Sequence, residues 1–542
     1  MLILMNRLKS WTQSISKPVK VAFITAILIG LIAHLSFMTN HFVNLDSIEY
    51  ITRDPNATYL LTQGKWLFEL IDPLVFGKVF SAGITVPVAT IILALTAAVT
   101  TSVLKIQHST WAFFIACFLV LFPSVFCTYS FYAATYFFAL FLSATAVYVT
   151  DRWKRGWMFG IAILTTALGI YAVYIGYAAG LFVILSILRC LDKKDSLKDV
   201  FAKGWRYLAV LFISIVLYFF ILKWMLAIRG AELSNYRGMG NLGTIDLANL
   251  PKLLYDAYLK VWYFFRHGIY MEYGNSRLSF GWLNTVSTIL CVLLSLVYIL
   301  RSRSYQKPFR MLTCLALAGL LPLAIHAIAV LGQNQYTHWL MIAPFVLVYI
   351  LMVTVADRLG WGGKTATADE KNGVKKAFLF KRLQAVGIGI LASAVFLTSA
   401  FLSQQWFILT NTAYEKLRMS YENAYASGII LANDVLKTEE YTSNTPVAFI
   451  GDDTPEIFQK SLDYFGDLSY YMGLQELIHD TDRTEALMYD FIGIPFVFAD
   501  DAAISELSDS EETKDMPIYP AAGAIKMIDG ILVVKLSSVG TD

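Results

Sequence analysis

Long apolar runs recur along most of this chain, and each is long enough to cross a lipid bilayer as a helix. A transmembrane helix needs about 20 predominantly apolar residues. Such runs occupy residues 19–39, 83–104, 109–128, 130–150, 206–226, 281–300, 310–331, 337–356 and 384–404. Hydrophobic residues make up 57% of the chain and charged residues only 15%, which is typical of an integral membrane protein. No stretch resembles a removable signal peptide, so we expect the first run to be retained.

The segment from Gly156 to Leu188 is too long for one ordinary span and short for two. Basic residues cluster in the loops at 7–20, 152–155, 193–206, 301–310 and 371–382. The positive-inside tendency predicts that these loops share the cytoplasmic side, which requires residues 156–188 to cross and return as two short helices broken near Gly169–Tyr171. The alternative is one tilted helix, which would place basic loops on opposite sides. We therefore predict a polytopic α-helical membrane protein with about 11 membrane helices and a cytoplasmic N-terminus.

The chain changes character after residue 405. Residues 406–542 carry 8 basic against 24 acidic side chains, whereas the rest of the chain is strongly basic. We expect a helix at 414–440, short strands at 447–451 and 495–498, and a hairpin at 525–535 with Asp529–Gly530 as its turn. The sequence thus predicts two domains, a transmembrane domain at 1–405 and a small extracytoplasmic α/β domain at 406–542.

Several kinds of site are missing from the sequence. The five cysteines all lie in apolar runs without a C-x-x-C pair, which argues against a disulfide framework and a zinc site. The chain contains no P-loop, dinucleotide fingerprint, H-E-x-x-H motif or nucleophile elbow. We expect no cofactor, no metal site and no nucleic-acid partner.

The loop after the first apolar run holds the best candidates for chemistry. Asp46 and Glu49 are three residues apart, which puts both carboxylates on one face if this stretch is helical, and Arg53 can pair with that face. The ordinary alternative is a solvated acidic face with an ion pair. Residues 59–71 have apolar side chains at near-helical spacing around Lys65 and Trp66, which predicts an amphipathic helix lying on the membrane surface.

Two further loops on the predicted outer side carry polar candidates. Arg237 and Arg266 lie in the segment 229–280 together with other basic residues, against the positive-inside tendency, so a phosphate could be their partner. Nearby acidic residues could pair with them instead. His338, in the short loop 332–339, could contact a sugar or phosphate, although a structural role is favoured for it.

These features favour a substrate that reaches the protein in the membrane. A lipid-phosphate-linked sugar fits, because its transfer needs a carboxylate general base for the acceptor hydroxyl and cations for the departing phosphate. A lipid-linked saccharide transporter and a polysaccharide polymerase or ligase are the main alternatives, and a non-catalytic receptor built around the acidic outer domain is the weakest, because it leaves the loop at Asp46 unexplained. A transporter would be expected to have internal repeats and charges at mid-membrane depth, and the sequence shows neither. A polymerase or ligase would use a longer glycan linked to a pyrophosphate.

The order of these motifs resembles a known family. Asn44–Glu49, then Gln63–Trp66, and later Leu168–Tyr171 in a broken helix pair are similar to bacterial Gtr-type membrane glucosyltransferases, which modify O-antigen and other surface polysaccharides. The plan is also similar to the wider GT-C class. The resemblance implies an inverting, metal-independent transfer with Asp46 as the base, Glu49 as a supporting acid, and Lys65 and Trp66 at the donor. Lysine at 65 departs from the arginine found in many members.

The resemblance also implies partners and a location. We expect a polyprenyl-phosphate-linked hexose, glucose above all, as donor and a cell-surface glycan as acceptor, with membrane lipids around the helices. The chain would lie in the bacterial cytoplasmic membrane with its C-terminal domain outside. Arg53, Lys65, Trp66, Arg237, Arg266 and His338 are the candidate donor-binding residues.

Overall fold

The structure is a computed structural model of the chain, which divides into two compact units. It describes residues 15–40, 42–44, 46–50, 58–192, 195–234, 248–268, 278, 280–332, 338–360, 375–451 and 481–538, with only the backbone at 49, 50, 375–383 and 481. The first unit takes its described residues from the ranges 1–35, 53–128 and 134–410. The second unit takes them from 36–52, 129–133 and 411–542. The loop that carries Asp46 therefore clusters with the C-terminal region.

The described part of the chain up to residue 436 is mostly helical. Its α-helices are α1 (Lys17–Ala33), α2 (Leu35–Thr39), α3 (Tyr59–Thr62), α4 (Phe68–Phe76), α5 (Ala82–Leu104), α6 (Ser109–Leu121), α7 (Pro123–Ser130), α8 (Thr135–Arg152), α9 (Gly156–Ile170), α10 (Ile175–Asp192), α11 (Leu197–Arg229), α12 (Leu250–His267), α13 (Trp282–Ser302), α14 (Pro308–Ile325), α15 (Ala327–Leu331), α16 (Val346–Leu359) and α17 (Lys375–Leu436). Short 3-10 helices occur at Ser47–Tyr50, Ala172–Tyr174, Ser304–Gln306 and Trp339–Phe345.

Eight helical segments of the described chain are long and apolar enough to cross a membrane. They are Ala82–Leu104, Ser109–Ser130, Ala172–Asp192, Leu197–Arg229, Trp282–Ser302, Pro308–Ile325, Trp339–Leu359 and Gln384–Leu436. Within the most apolar 18 residues of each segment, 94% are buried at 172–192 but only 22% at 197–229, so the former is central and the latter peripheral. These helices indicate a membrane protein, and the count of about 11 spans stays a prediction.

The segment at 156–192 is a broken helix pair, as its length and flanking charges predict. Helix α9 ends at Ile170, Tyr171 adopts an extended backbone conformation with φ −157° and ψ 104°, and α10 begins at Ile175. A single tilted helix would have continued through Tyr171. The break therefore allows the chain to reverse within this segment.

Ion pairs show that several helix ends gather at one end of the first unit. Arg189, near the end of α10, pairs with Asp151 at the end of α8 and lies 2.6 Å from Asp195, just before α11. Arg358, near the end of α16, pairs with Asp192. Because α9 begins next to Asp151 and α10 ends beside the same residue, the broken pair leaves this end of the unit and returns to it.

The described part of the second unit contains a four-stranded sheet. Its strands are β1 (Pro446–Ile450), β2 (Val497–Phe498), β3 (Ile525–Ile528) and β4 (Ile531–Lys535), in the order β2-β1-β4-β3. Strand β1 is parallel to both β2 and β4, while β3 and β4 form an antiparallel hairpin. Helices α18 (Thr481–Ala486), α19 (Asp501–Asp509) and α20 (Glu511–Asp515) accompany it, with a π-helical segment at Leu487–Ile492.

Turn chemistry and apolar packing explain this sheet. Asp529 and Gly530 both have positive φ, 48° and 82°, which is the geometry that a two-residue Asp-Gly hairpin turn needs. One face packs into a buried core made of Ala448, Ile450, Leu507, Met516, Ile528 and Val533. The predicted strands and hairpin are therefore present near the C-terminus.

The prediction of one amphipathic helix at 59–71 is wrong. The structure has two short helices instead, α3 and α4, with Lys65 and Trp66 in the connection between them. Gly64 adopts a positive φ of 79°, which ends the helical path. The Glu69 carboxylate then accepts a hydrogen bond of 2.7 Å from the Leu60 amide, which holds the two helices folded back on each other.

Candidate functional site

The connection that carries Lys65 and Trp66 is fixed by hydrogen bonds to the helices of the first unit. The Leu67 amide donates to the Gly169 carbonyl over 2.8 Å, and the Tyr218 hydroxyl donates to the Gly64 carbonyl over 2.8 Å. Gly169 lies in the last turn of α9, one residue before the helix ends. The short connection is thus attached to the break in the helix pair.

Trp66 lies directly against Gly169. A Cβ atom placed on Gly169 would be 2.4 Å from two carbon atoms of the Trp66 ring, so only glycine fits there without displacing the indole. The indole Nε1 atom is buried and has no hydrogen-bond partner among the described residues. A buried N–H without a partner is costly, and a bound hydroxyl or phosphate oxygen could satisfy it.

The aromatic side chains of Tyr136 and Tyr171 lie together with the basic side chain of Lys65, the residue before Trp66. The rings of Tyr136 and Tyr171 stack with centroids 3.7 Å apart and an angle of 3° between their planes. The Lys65 ammonium lies 5.7 Å from the Tyr136 ring centroid and donates a 2.8 Å hydrogen bond to Gln63. Tyrosine faces and a partly buried ammonium are groups that can contact a sugar and its phosphate. We call Lys65, Trp66, Tyr136, Gly169 and Tyr171 the aromatic cluster.

Asp72 is a buried carboxylate that was not predicted from the sequence. It is 4% exposed and accepts a short hydrogen bond from the Thr135 hydroxyl, one residue before Tyr136. Its position could have revealed it, because Asp72 shares the i, i+4 face of α4 with the buried Phe68 and Phe76. An acid on the apolar face of an amphipathic helix requires a partner.

Asp46 belongs to the second unit, where a tight turn holds it. The Asn44 amide donates to Ser47 Oγ over 2.8 Å, and the Ser47 amide donates back to Asn44 Oδ1 over 2.7 Å. These reciprocal bonds fix the turn that precedes the 3-10 helix Ser47–Tyr50. The Asp46 side chain is 35% exposed, so water can reach it.

Arg483 of α18 is the charged partner of Asp46. Its Nη2 atom lies 3.5 Å from Asp46 Oδ1. Arg483 could not be predicted from the sequence, because nothing in its local pattern connects a residue of the acidic C-terminal region with a loop 437 positions earlier. Only the tertiary structure brings the two together.

Aromatic packing holds the Asp46 segment within the second unit. Phe37 packs against Phe42, Tyr129 and Tyr414, with ring centroids 6.1, 5.9 and 5.2 Å apart. Aromatic pairs at these distances stabilise by about 0.5–1.5 kcal/mol beyond burial. In addition, the Tyr132 hydroxyl donates to the Phe42 carbonyl over 2.5 Å. This packing explains why residues 36–52 cluster with the C-terminal region.

The other predicted site residues are placed as follows. Glu49 lies in the 3-10 helix Ser47–Tyr50, but its side chain is outside the described residues, as are Arg53 and Arg237. Arg266 is exposed in the last turn of α12. His338 is 5% exposed, and its Nδ1 accepts from the Leu340 amide over 3.2 Å, which caps the following 3-10 helix.

Glu485 is a third group, after Asp72 and Arg483, that was not predicted from the sequence. Partial burial and the neighbouring carboxylates of Asp482 and Asp501 raise the pKa of its carboxyl from 4.5 to about 7. Its Oε1 atom is buried and has no hydrogen-bond partner among the described residues. Glu485 is therefore protonated in part near neutral pH.

The raised pKa of Glu485 predicts a pH-dependent stability for the second unit. Between about pH 4.5 and 7 the folded state holds a proton that the unfolded state has lost, so this group's contribution to the free energy of unfolding falls as pH rises and levels off above about 7. Glu485→Gln should remove this part of the decline. Urea-dependent proteolysis at pH 5.5, 6.5 and 7.5 measures it. Glu506→Gln, at an exposed position of α19, is the matched control, and equal slopes for wild type and Glu485→Gln would contradict the prediction.

Comparison with known proteins identifies the family. Among the described residues, no group of three or more His, Cys, Asp or Glu side chains is arranged to hold a metal ion. Searches among curated proteins and solved structures gave no match. Residues 35–356 match the family described as Glucosyl transferase GtrII, and this range is more than half of the 542 residues. It includes Asp46, Asp72 and the whole aromatic cluster. The chain therefore belongs to the GtrII glucosyl transferase family.

Proposed function

We propose that this protein transfers glucose from a polyprenyl-phosphate donor to a cell-surface glycan on the outer side of the bacterial cytoplasmic membrane. The observation that carries the proposal is the GtrII family match over residues 35–356, which contains both the candidate base and the aromatic cluster. The apolar helices support a donor that stays in the bilayer.

Asp46 is the general base in this proposal. Its carboxylate takes the proton of the acceptor hydroxyl while the oxygen attacks the anomeric carbon of the glucosyl group. The bond between that carbon and the phosphate oxygen breaks, and polyprenyl phosphate leaves with the bonding electrons. A single displacement of this kind inverts the configuration at the anomeric carbon. The partial exposure of Asp46 supports its access to an acceptor hydroxyl.

The aromatic cluster binds the donor in this proposal. Lys65, which lies over the ring of the stacked Tyr136, provides a positive charge for the phosphate, while the ring of Trp66 provides a flat apolar face for the sugar or the first isoprene units. The buried Trp66 Nε1 supports a ligand with a hydrogen-bond acceptor. Arg53, Arg237 and Arg266 are further candidates for the phosphate, and Glu49 supports Asp46.

The proposed orientation places the N-terminus in the cytoplasm and the domain at 406–542 outside. The helix ends joined by Arg189, Asp192 and Asp195 adjoin the basic loops, and positive loops favour the cytoplasmic side. The break at Tyr171 and the connection at Lys65 are then on the outer side, where the acceptor glycan is found.

A donor panel tests the proposed function. Purified full-length protein in lipid vesicles is given polyprenyl phosphates that carry glucose, galactose, mannose or N-acetylglucosamine, together with a cell-surface glycan extract. We expect consumption of the glucose donor with release of polyprenyl phosphate. Consumption of a pyrophosphate-linked oligosaccharide and not of any monosaccharide donor would show a polymerase or ligase instead.

A further inference from the structure

The contact between Arg483 and Asp46 places a positive charge beside Asp46 in a region of the chain that is mostly negative. Residues 406–542 hold 8 basic and 24 acidic side chains, so a carboxylate placed at random against this region would meet mostly negative charge. Asp46 instead faces one of the few arginines, at 3.5 Å. The arrangement thus places a specific cation beside the candidate base.

Anchored backbone holds both partners of this ion pair. Helix α18 packs against β1 and against the 3-10 helix Ser47–Tyr50, and Thr484, next to Arg483, is fully buried. On the other side, the reciprocal Asn44 and Ser47 hydrogen bonds fix the turn before that 3-10 helix. The two side chains therefore start from fixed positions, unlike a pair of long side chains on a mobile surface.

Stability alone is a weak explanation for the pair. The side chains of Arg483 and Asp46 are 20% and 35% exposed, and ion pairs at such sites contribute about 0–1 kcal/mol. Orientation has a larger effect on a reaction, because a displacement of about 1 Å in a reacting group can cost roughly 100-fold in rate. The contact is thus better suited to aim a carboxylate than to stabilise the fold.

We propose that Arg483 is a positioning residue of the transferase, which holds the Asp46 carboxylate in the orientation needed to accept a proton. This proposal rests on the proposed role of Asp46 as general base. It also gives the C-terminal region a part in the reaction, through one arginine. Arg483 acts on Asp46 and not on the donor, so its loss affects turnover more than donor affinity.

Three full-length variants in lipid vesicles test the proposal kinetically. Arg483→Gln should lower kcat by about 10-fold to 100-fold with less than about a threefold change in the donor KM, and Arg483→Lys should recover part of the loss because it keeps the charge. Arg418→Gln is the matched control, because Arg418 pairs with Glu415 and Glu422 in the same unit. Wild-type kcat for Arg483→Gln, or a raised donor KM with unchanged kcat, would overturn the proposal.

Hydrogen exchange separates this proposal from the proposed function. Arg483→Gln should speed the exchange of the backbone amides at 46–50, while β1 and β4 keep their wild-type protection and Arg418→Gln changes neither. This result is expected whether or not a glucosyl donor is consumed, because it reports the restraint on the Asp46 turn. Unchanged exchange at 46–50 in Arg483→Gln would overturn the positioning role even if the donor panel succeeds.

Discussion

Asp46→Asn is expected to lower glucosyl transfer by at least about 1,000-fold, near the upper part of the range for loss of a general base. The amide cannot take the proton of the acceptor hydroxyl, so the attacking oxygen stays neutral and weakly nucleophilic. The fold should survive, because the Asn44 and Ser47 hydrogen bonds remain and the amide oxygen that replaces the carboxylate can still accept from Arg483. Release of polyprenyl phosphate from the glucose donor measures the effect.

Two other variants test whether the loss of activity is particular to Asp46. Asp509→Asn changes an exposed aspartate at the end of α19 and should leave turnover at the wild-type level. Asp72→Asn removes the buried carboxylate that accepts from Thr135. If Asp72→Asn abolishes transfer while Asp46→Asn retains wild-type turnover, the base is Asp72 and the assignment of Asp46 is wrong.

Gly169→Ala is expected to have the second largest effect. The added Cβ would lie 2.4 Å from two carbon atoms of the Trp66 ring, and a rigid indole cannot bend away as a flexible side chain could. Trp66 must move, with a cost of about 1–3 kcal/mol for overpacking. Since Trp66 and Lys65 are adjacent, we expect kcat/KM for the donor to fall by about 10-fold to 100-fold.

Gly204→Ala is the matched control for Gly169→Ala. Gly204 lies within α11 in the same unit, and a Cβ there would meet no atom within 4 Å. This variant should keep wild-type kinetics and thermal stability, or gain slightly, because alanine favours a helix over glycine. Wild-type kcat/KM for Gly169→Ala would remove the aromatic cluster from the donor site.

Local physics explains which elements could be predicted. Apolar runs of about 20 residues identify membrane helices because a helix satisfies its backbone hydrogen bonds within one segment and needs about that length to cross the bilayer. The break at Tyr171 follows from segment length and flanking charge, and the hairpin at 525–535 follows from an Asp-Gly turn between alternating apolar residues. These signals lie within short stretches of sequence. The number of spans does not follow from these signals alone, since α1 and α9, with 17 and 15 residues, are shorter than an ordinary span.

Prediction failed where a local pattern competed with a tertiary contact. Residues 59–71 have the spacing of one amphipathic helix, yet Gly64 and the bond from Leu67 to Gly169 open it at Lys65. Asp72 has the spacing of the buried face of α4, but its partner, Thr135, is 63 positions away and cannot be read from that spacing. The Gly169 carbonyl and the Thr135 hydroxyl, which make these two contacts, belong to other helices.

The sequence by itself determined that this is a membrane protein with an acidic α/β region at its C-terminus, and it singled out Asp46, Lys65 and Trp66 as candidates. Composition, hydrophobic period and turn residues carry that information, since each acts over a few neighbouring residues. Only the tertiary structure decided that Asp46 clusters with the C-terminal region and faces Arg483, and that Trp66 lies against Gly169. Contacts between residues hundreds of positions apart depend on how whole elements pack, and no local pattern in the chain encodes them.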